Sequence, residues 1–215
     1  MKVSICVPFA GTDCKHFFMY SLLETKWPVW EVLFLRVMGG TYGNALASMI
    51  KASLAEKVDF IVLTVGDIWF APDTIPRLVS HNLPVVCGWA TNRFHPFRCH
   101  ITDKVVGKTR LWRTVARGAA RAKHGLERIE TFGGELVVIR RDVFEKVKYP
   151  WFFGPDMFSG DKEDYRMTED YYFCQKAKAS GVELWVDWDA PVAHHVDGMV
   201  TYKTHLMPLA SAGRI

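Results

Sequence analysis

The chain has 215 residues, 49% apolar and 23% charged, enough to bury a sizeable core and far from the composition of a disordered segment. Its five cysteines (Cys6, Cys14, Cys87, Cys99, Cys174) are odd in number, scattered and without a C-x-x-C pair, which argues against a disulfide framework or zinc knuckle and for a reducing cytoplasm. The net charge of +4 hides an asymmetry: between Arg93 and Arg128 ten Lys and Arg face only Asp103 and Glu127, so that stretch carries +8 and the remainder −4.

In chain order, Lys2 to Pro8 (KVSICVP) is a β-branched apolar run ending at proline and predicts a buried parallel strand. The chain enters it without the charged lead and apolar stretch of a signal peptide. His16 to Thr25 predicts a helix and Trp30 to Val37 a second strand. WEVLFLRVM is cut by Glu31 and Arg36, so no membrane-spanning helix is expected. The glycine-rich turn Gly39 to Asn44 precedes a helix over roughly Ala45 to Lys57. Asp59 to Val65 predicts a third strand, Pro72-Asp73 a helix start reaching about His81, and Leu83 to Trp89 a fourth strand. Thr109 to Lys123 predicts a helix with arginines 110, 113, 117 and 121 along one face. Thr131 to Arg140 predicts a strand, Arg141 to Val147 a short helix, and Thr168 to Ala179 a helix capped by Thr168 and closed by Gly181. Val182 to Asp187 predicts a last strand, and the tail from His205 has no pattern.

Strands alternating with helices in this way predict an α/β domain, a Rossmann-like, mostly parallel sheet flanked by helices. It divides into residues 1–92, a basic stretch at 93–130, and residues 131–215. Ligands on such sheets bind outside the carboxyl ends of the strands, where Pro8, Gly39 and Asp67 fall. A carboxylate directly after an apolar strand, as Asp67 is, suits a divalent ion bridging two phosphates; a turn former before Pro72 is the plainer alternative. Glu169 and Asp170 begin a helix, where acids favour the dipole in any protein, and either can serve as a general base for an acceptor hydroxyl. The loop before them is long and rich in glycine and aromatics. His194 and His195 end a strand, and adjacent strand residues point to opposite faces, so one of the two is a candidate metal ligand. Gly133-Gly134 is either a turn or a point of close sugar approach. Trp151, Phe152 and Phe153 are core residues or a stacking surface for a sugar. GGTYGN lacks the G-x-G-x-x-G spacing of a dinucleotide site, and PFAGTD is a poor match to a nucleotidyltransferase loop.

Together these residues resemble a GT-A-fold glycosyltransferase, the compact single-domain viral and microbial type similar to family 2. The resemblance runs from VSICVPF to VAHH. It is strongest in VGDIWFAPDTIPRLVSHNLPVVCGWATNR, in GGELVVIRRDVFEKVKYPWFF and in TEDYYFCQKAKASGVELWVDWDAPVAHH. The family's D-x-D motif reads Val65-Gly66-Asp67 here, with valine in place of the first acid. The resemblance implies a Mn²⁺ or Mg²⁺ ion held by Asp67 and His194 or His195, and Asp170, with Glu169 beside it, as catalytic base. It also implies a UDP- or GDP-linked sugar bordered by Pro8, Phe9, Ala10, Asn44, Gly66, Gly133, Gly134, Glu135 and Trp151. Residues 1–92 would form the nucleotide-binding half and 131–215 the acceptor and catalytic half. The acceptor is expected to be a glycan, a lipid-linked molecule or a protein. The stretch 93–128 is expected to be a flap over the diphosphate, a dock for an acidic or lipid-linked acceptor or peripheral membrane contact, or simply a solvated helix. Nucleic acid is not an expected partner, since no reading motif accompanies the basic residues. The alternative is a non-catalytic glycan- or nucleotide-binding module on a degenerate transferase scaffold, which Val65 motivates.

Overall fold

The computed structural model describes residues 1–9, 15–38, 41–91, 98–106, 109–114, 123–153, 168–195, 198–200 and 207–208. Ala10, Asp197, arginines 93, 117 and 121, and the glycine- and aromatic-rich loop at 154–167 lie outside them.

One sheet organises the chain. Its strands run in the order β2 (Glu31–Met38), β1 (Lys2–Phe9), β3 (Phe60–Thr64), β9 (Leu136–Arg140), β5 (Val85–Trp89), β10 (Leu184–His195), β11 (Gly198–Val200) and β12 (Met207–Pro208). Two three-residue strands, β4 (Ile68–Phe70) and β8 (Leu126–Arg128), pair antiparallel with β10. β1 is parallel to β2 and β3, and β10 is parallel to β5. β9 runs against both β3 and β5. The expected mostly parallel sheet is therefore mixed, and the reason lies in the path of the chain. β9 is entered from the turn at Gly133-Gly134, with Leu136 beside Thr64 at the carboxyl end of β3, so it runs back toward the amino edge.

Alternation along the strands divides the core in two. Ile61, Leu63, Val137 and Ile139 face α2 (Tyr42–Ala55) and α5 (Glu169–Ala179), packing with Leu46, Ile50 and Phe173. Phe60, Val62, Leu136 and Val138 face α1 (His16–Glu24) and α3 (Thr74–Ser80), packing with Phe18, Leu22, Ile75 and Leu78. A short helix, α4 (Val143–Lys146), follows β9. Trp151 is buried, donates its indole N–H to the Val147 carbonyl at 2.8 Å, and meets the Phe144 ring at 5.2 Å. The structure thus places it in the core rather than on a sugar-facing wall. Phe152 is buried as well, stacked on Phe173 at 4.7 Å, and only Phe153 is exposed.

Other boundaries also differ from expectation. α2 begins at Tyr42, not Ala45, because Thr41 caps it: its hydroxyl accepts from the Asn44 N–H at 3.3 Å. The strand expected from Thr131 begins at Leu136, and the last strand runs on to His195. Thr109 to Thr114 is not helical. It forms β7, paired antiparallel with β6 (Arg98–Val106). Threonine, leucine and tryptophan suit a strand, and a neighbouring β-rich partner overrode the helical spacing of the arginines.

β10 bulges between Val186 and Pro191, and a charged network holds the bulge. Asp187 is fully buried and receives Arg77 Nε at 2.5 Å, His81 Nε2 at 2.7 Å and the Asp189 N–H at 2.9 Å. Asp189 in turn takes Arg77 at 3.0 Å and His124 at 2.7 Å. Burial alone would raise the Asp187 carboxyl, but the Arg77 and His81 bonds prevail and hold it below its ordinary 3.8. Removing one member of a buried pair typically costs about 3–5 kcal/mol. Asp187→Ala is therefore expected to lower the unfolding free energy by that order, read as a lower urea midpoint. Because the folded-state carboxyl is depressed, its stabilisation is present above the ordinary value and is lost as pH falls below about 4. The variant's midpoint should accordingly depend less on pH in that range, and an unchanged midpoint at pH 7 would dismiss the network as a stabilising feature.

Candidate functional site

The chemistry-bearing side chains meet at the carboxyl edge of β1, β3, β5 and β10. Asp67 follows β3 by three residues, and its main-chain carbonyl accepts from the His195 N–H at 2.8 Å, which ties the loop to the end of β10. The turn Gly133-Gly134-Glu135 enters β9 beside it, with the Glu135 carbonyl accepting from the Thr64 hydroxyl at 2.9 Å. α2 and α5 both begin at this edge, since each returns the chain toward the amino ends of the strands. Their first turns bring Tyr42, Glu169 and Asp170 to the same place.

Packing of this corner is tight at Gly43 and Gly133. A Cβ on Gly43 would sit 3.0 Å from the Phe152 carbonyl oxygen and 3.6 Å from Glu169 Cγ. One on Gly133 would lie 2.7 Å from His100 Cβ and would collide with the Glu135 carboxylate. One on Gly134 would make only ordinary contacts, 3.8 Å from the Tyr42 hydroxyl and 4.0 Å from Asp170 Cβ, which places both side chains beside Gly134.

Tyr42 reports the electrostatics. Burial raises its hydroxyl most, and the carboxylates of Asp170, Glu135, Glu169 and Asp67 raise it further. Four acids therefore converge electrically on one phenol, which stays protonated as a hydrogen-bond donor. Asp170 is oriented by its own surroundings: Oδ1 accepts from the Tyr171 N–H at 2.7 Å and from the Thr168 hydroxyl.

Glu135 is the best-held of the four. Burial would raise its carboxyl, but His100 outweighs burial by charge and by a hydrogen bond, with His194 adding to it, and the carboxyl falls to about 2. His194 Nε2 lies 3.8 Å from the same Glu135 oxygen, while Nδ1 is 2.7 Å from the Thr91 carbonyl oxygen. Since a carbonyl only accepts, Nδ1 carries the proton and Nε2 presents a lone pair toward the acids. Burial lowers the His194 imidazole, against the pull of Glu135. His195 points the other way, its ring 5.4 Å from Phe17 and 6.4 Å from His16. His194 thus faces Glu135.

His100 was invisible to sequence reasoning. It sits on β6 between Cys99 and Ile101, both buried in the core, and alternation turns it to the opposite side. β6 is held against this corner by the His100 N–H to the Ala90 carbonyl and the Thr102 N–H to the Thr131 carbonyl, both at 3.0 Å. The only local signal is a histidine between two apolar residues.

Among the remaining expected residues, Pro8 is buried opposite Val37 at the end of β1, and Phe9 pairs with Met38. Gly66 accepts the Lys15 N–H at 2.9 Å. Asn44 is exposed on the first turn of α2. Among the described residues no group of three or more His, Cys, Asp or Glu is spaced to hold a metal ion by itself, and no helix is long and apolar enough to cross a membrane.

No protein-family model and no curated protein matches this chain. Among solved structures it is similar to the crystal structure of A197 from STIV, with a TM-score of 0.64 and 15% identity over 97% of this chain and 94% of that one. That likeness speaks to the fold.

Proposed function

We propose that the chain is a GT-A-type, metal-dependent glycosyltransferase that moves a sugar from a UDP- or GDP-linked donor to a hydroxyl acceptor. The observation that carries this reading is the meeting of Glu135, Glu169, Asp170 and Tyr42 around Gly43, Gly133 and Gly134, with the Asp67 loop tied to the end of β10, at the strand ends where α/β sheets place their ligands.

Four acids served by two imidazoles leave a negative pocket, and a diphosphate needs compensating cations to enter it. The oxygen-rich donor set fits Mn²⁺ or Mg²⁺. Mg²⁺ is usually held by one or two carboxylates together with substrate phosphates rather than by an all-protein cage, so Asp67 with the lone pair of His194 is a sufficient protein share. When bound, such an ion neutralises charge developing on the departing nucleoside diphosphate. Tyr42 donates a hydrogen bond from the pocket wall, and the N-termini of α2 and α5 add favourable dipole toward phosphate. Gly134, where a Cβ would meet only ordinary contacts with Tyr42 and Asp170, lets a sugar ring approach the main chain, whereas the side of Gly133 is filled by His100 and Glu135. Asp170, aligned by Thr168 and the Tyr171 N–H, accepts the acceptor's proton as its oxygen attacks the anomeric carbon.

The test is a panel of nucleotide sugars incubated with the protein in the presence and absence of Mn²⁺, scored for nucleoside diphosphate release. Metal-dependent release is expected. Metal-dependent binding without turnover would instead favour a non-catalytic nucleotide- or glycan-binding module, the reading that Val65 in the first acidic position supports. If neither binding nor turnover appears, both readings fall.

A further inference from the structure

His194 and Glu135 meet in a way that the two side chains alone do not complete. The Nδ1 proton of His194 goes to the Thr91 carbonyl at 2.7 Å, so Nε2 offers a lone pair. In front of it, at 3.8 Å, lies Oε1 of the Glu135 carboxylate, a second acceptor. Both side chains are nearly shut off from solvent, at 4% and 13% exposure. Two acceptors facing each other in a buried place repel unless positive charge lies between them. The separation suits a metal ion: with bonds of about 2.1 Å to nitrogen and to carboxylate oxygen, two ligands of one ion can stand up to about 4.2 Å apart.

Glu135 also starts from a telling place. Its carbonyl accepts from the Val65 N–H at 3.4 Å and from the Thr64 hydroxyl at 2.9 Å, and the next residue, Leu136, is the ladder partner of Thr64. Val65, where the resemblance expects an acid, therefore has Glu135 beside it at the entry to β9. The carboxylate is held there by His100, whose Nδ1 donates to Oε1, and the absence of a side chain at Gly133 leaves the space it occupies. A carboxylate oxygen has lone pairs for a hydrogen bond and a cation together, and ligating carboxylates are ordinarily hydrogen-bonded in this way. We propose that Glu135 stands in for the acid missing at Val65 and, with His194, forms the seat of the divalent cation before any donor binds. His100 is then a positioning residue. Among the described residues no group of three or more is spaced to close around an ion, so its remaining positions are open to water and to diphosphate oxygens, and Asp67 contributes in the donor-bound state. One imidazole and one carboxylate favour Mn²⁺ over Mg²⁺ or Ca²⁺. The cation's task there rests on the glycosyltransferase reading; its seat does not.

The experiment titrates the full chain with Mn²⁺ alone, without nucleotide, by calorimetry, and records nitrogen couplings to the bound ion by pulsed electron paramagnetic resonance. Binding is expected, with imidazole nitrogen coupled to the ion, and Mg²⁺ should compete only weakly. Glu135→Gln, nearly isosteric, should weaken Mn²⁺ binding by more than about a hundredfold, beyond the roughly 10–100-fold typical of an outer partner. His100→Leu should weaken it within that range, and His100→Asn, whose amide can donate from the place of Nδ1, should restore most of the loss. Asp67→Ala should bind Mn²⁺ alone as the wild type does and lose affinity only when UDP or GDP is present. No Mn²⁺ binding by the wild type, or binding without nitrogen coupling, overturns the proposal however the variants fold. So does binding that survives Glu135→Gln, or that vanishes in Asp67→Ala without nucleotide, which would return the seat to Asp67. Donor turnover is scored apart from this: Glu135-dependent binding without nucleoside diphosphate release would leave the cation site standing and remove the transferase.

Discussion

Asp67→Ala is expected to reduce metal-dependent turnover of the donor by about three orders of magnitude while leaving the fold intact. The loop that carries Asp67 is positioned by main-chain bonds: its carbonyl receives the His195 N–H at 2.8 Å, and β4 directly after it pairs with β10. Truncating the side chain disturbs neither. What disappears is the carboxylate just past β3. Electrophilic stabilisation by a metal contributes several kcal/mol, and each 1.36 kcal/mol is tenfold in rate, which sets the scale. The thermal midpoint should change little, because removing one of four converging acids relieves repulsion. Asp67→Asn should resemble the alanine variant, since the amide keeps the shape and loses the charge. A variant that retains Mn²⁺-stimulated release at the wild-type rate would place the cation elsewhere, or remove it from the mechanism.

What could be read from the sequence followed local signals. β1, β3 and β5 are apolar runs with clear stops, and α5 is bracketed by Thr168, whose hydroxyl goes to the Asp170 carboxylate instead of the expected main-chain cap, and by Gly181, which adopts φ +73°. Asp67, Asp170 and the His194-His195 pair were readable as strand-end and helix-start residues, without a choice between the two histidines, and these are positions that the α/β architecture brings to one edge. Features that depend on distant pairing were hidden. β4 and β8 are three residues long, too short for any period to register. The direction of β9 depends on where the excursion between β5 and Thr131 re-enters the sheet, and no residue in LVVIR encodes that. His100 faces Glu135 only because β6 is pinned between Ala90 and Thr131. The arginines of Thr109–Thr114 fit a helical period, but strand pairing supplied more than the spacing could.

Asp170→Asn should leave donor and metal affinity within about twofold of wild type and lower the rate of sugar transfer by about 10²–10⁴-fold, the usual contribution of a positioned general base. The substitution is nearly isosteric, and the amide oxygen can still accept from the Tyr171 N–H and the Thr168 hydroxyl, so the first turn of α5 keeps its geometry. The group that accepts a proton is gone. Donor and metal binding supply the independent check. Lost transfer with unchanged donor and metal affinity identifies Asp170 as the base. Full transfer leaves it a neighbour of the site with no part in proton removal, and Glu169, whose Cγ lies against Gly43, becomes the group to replace next.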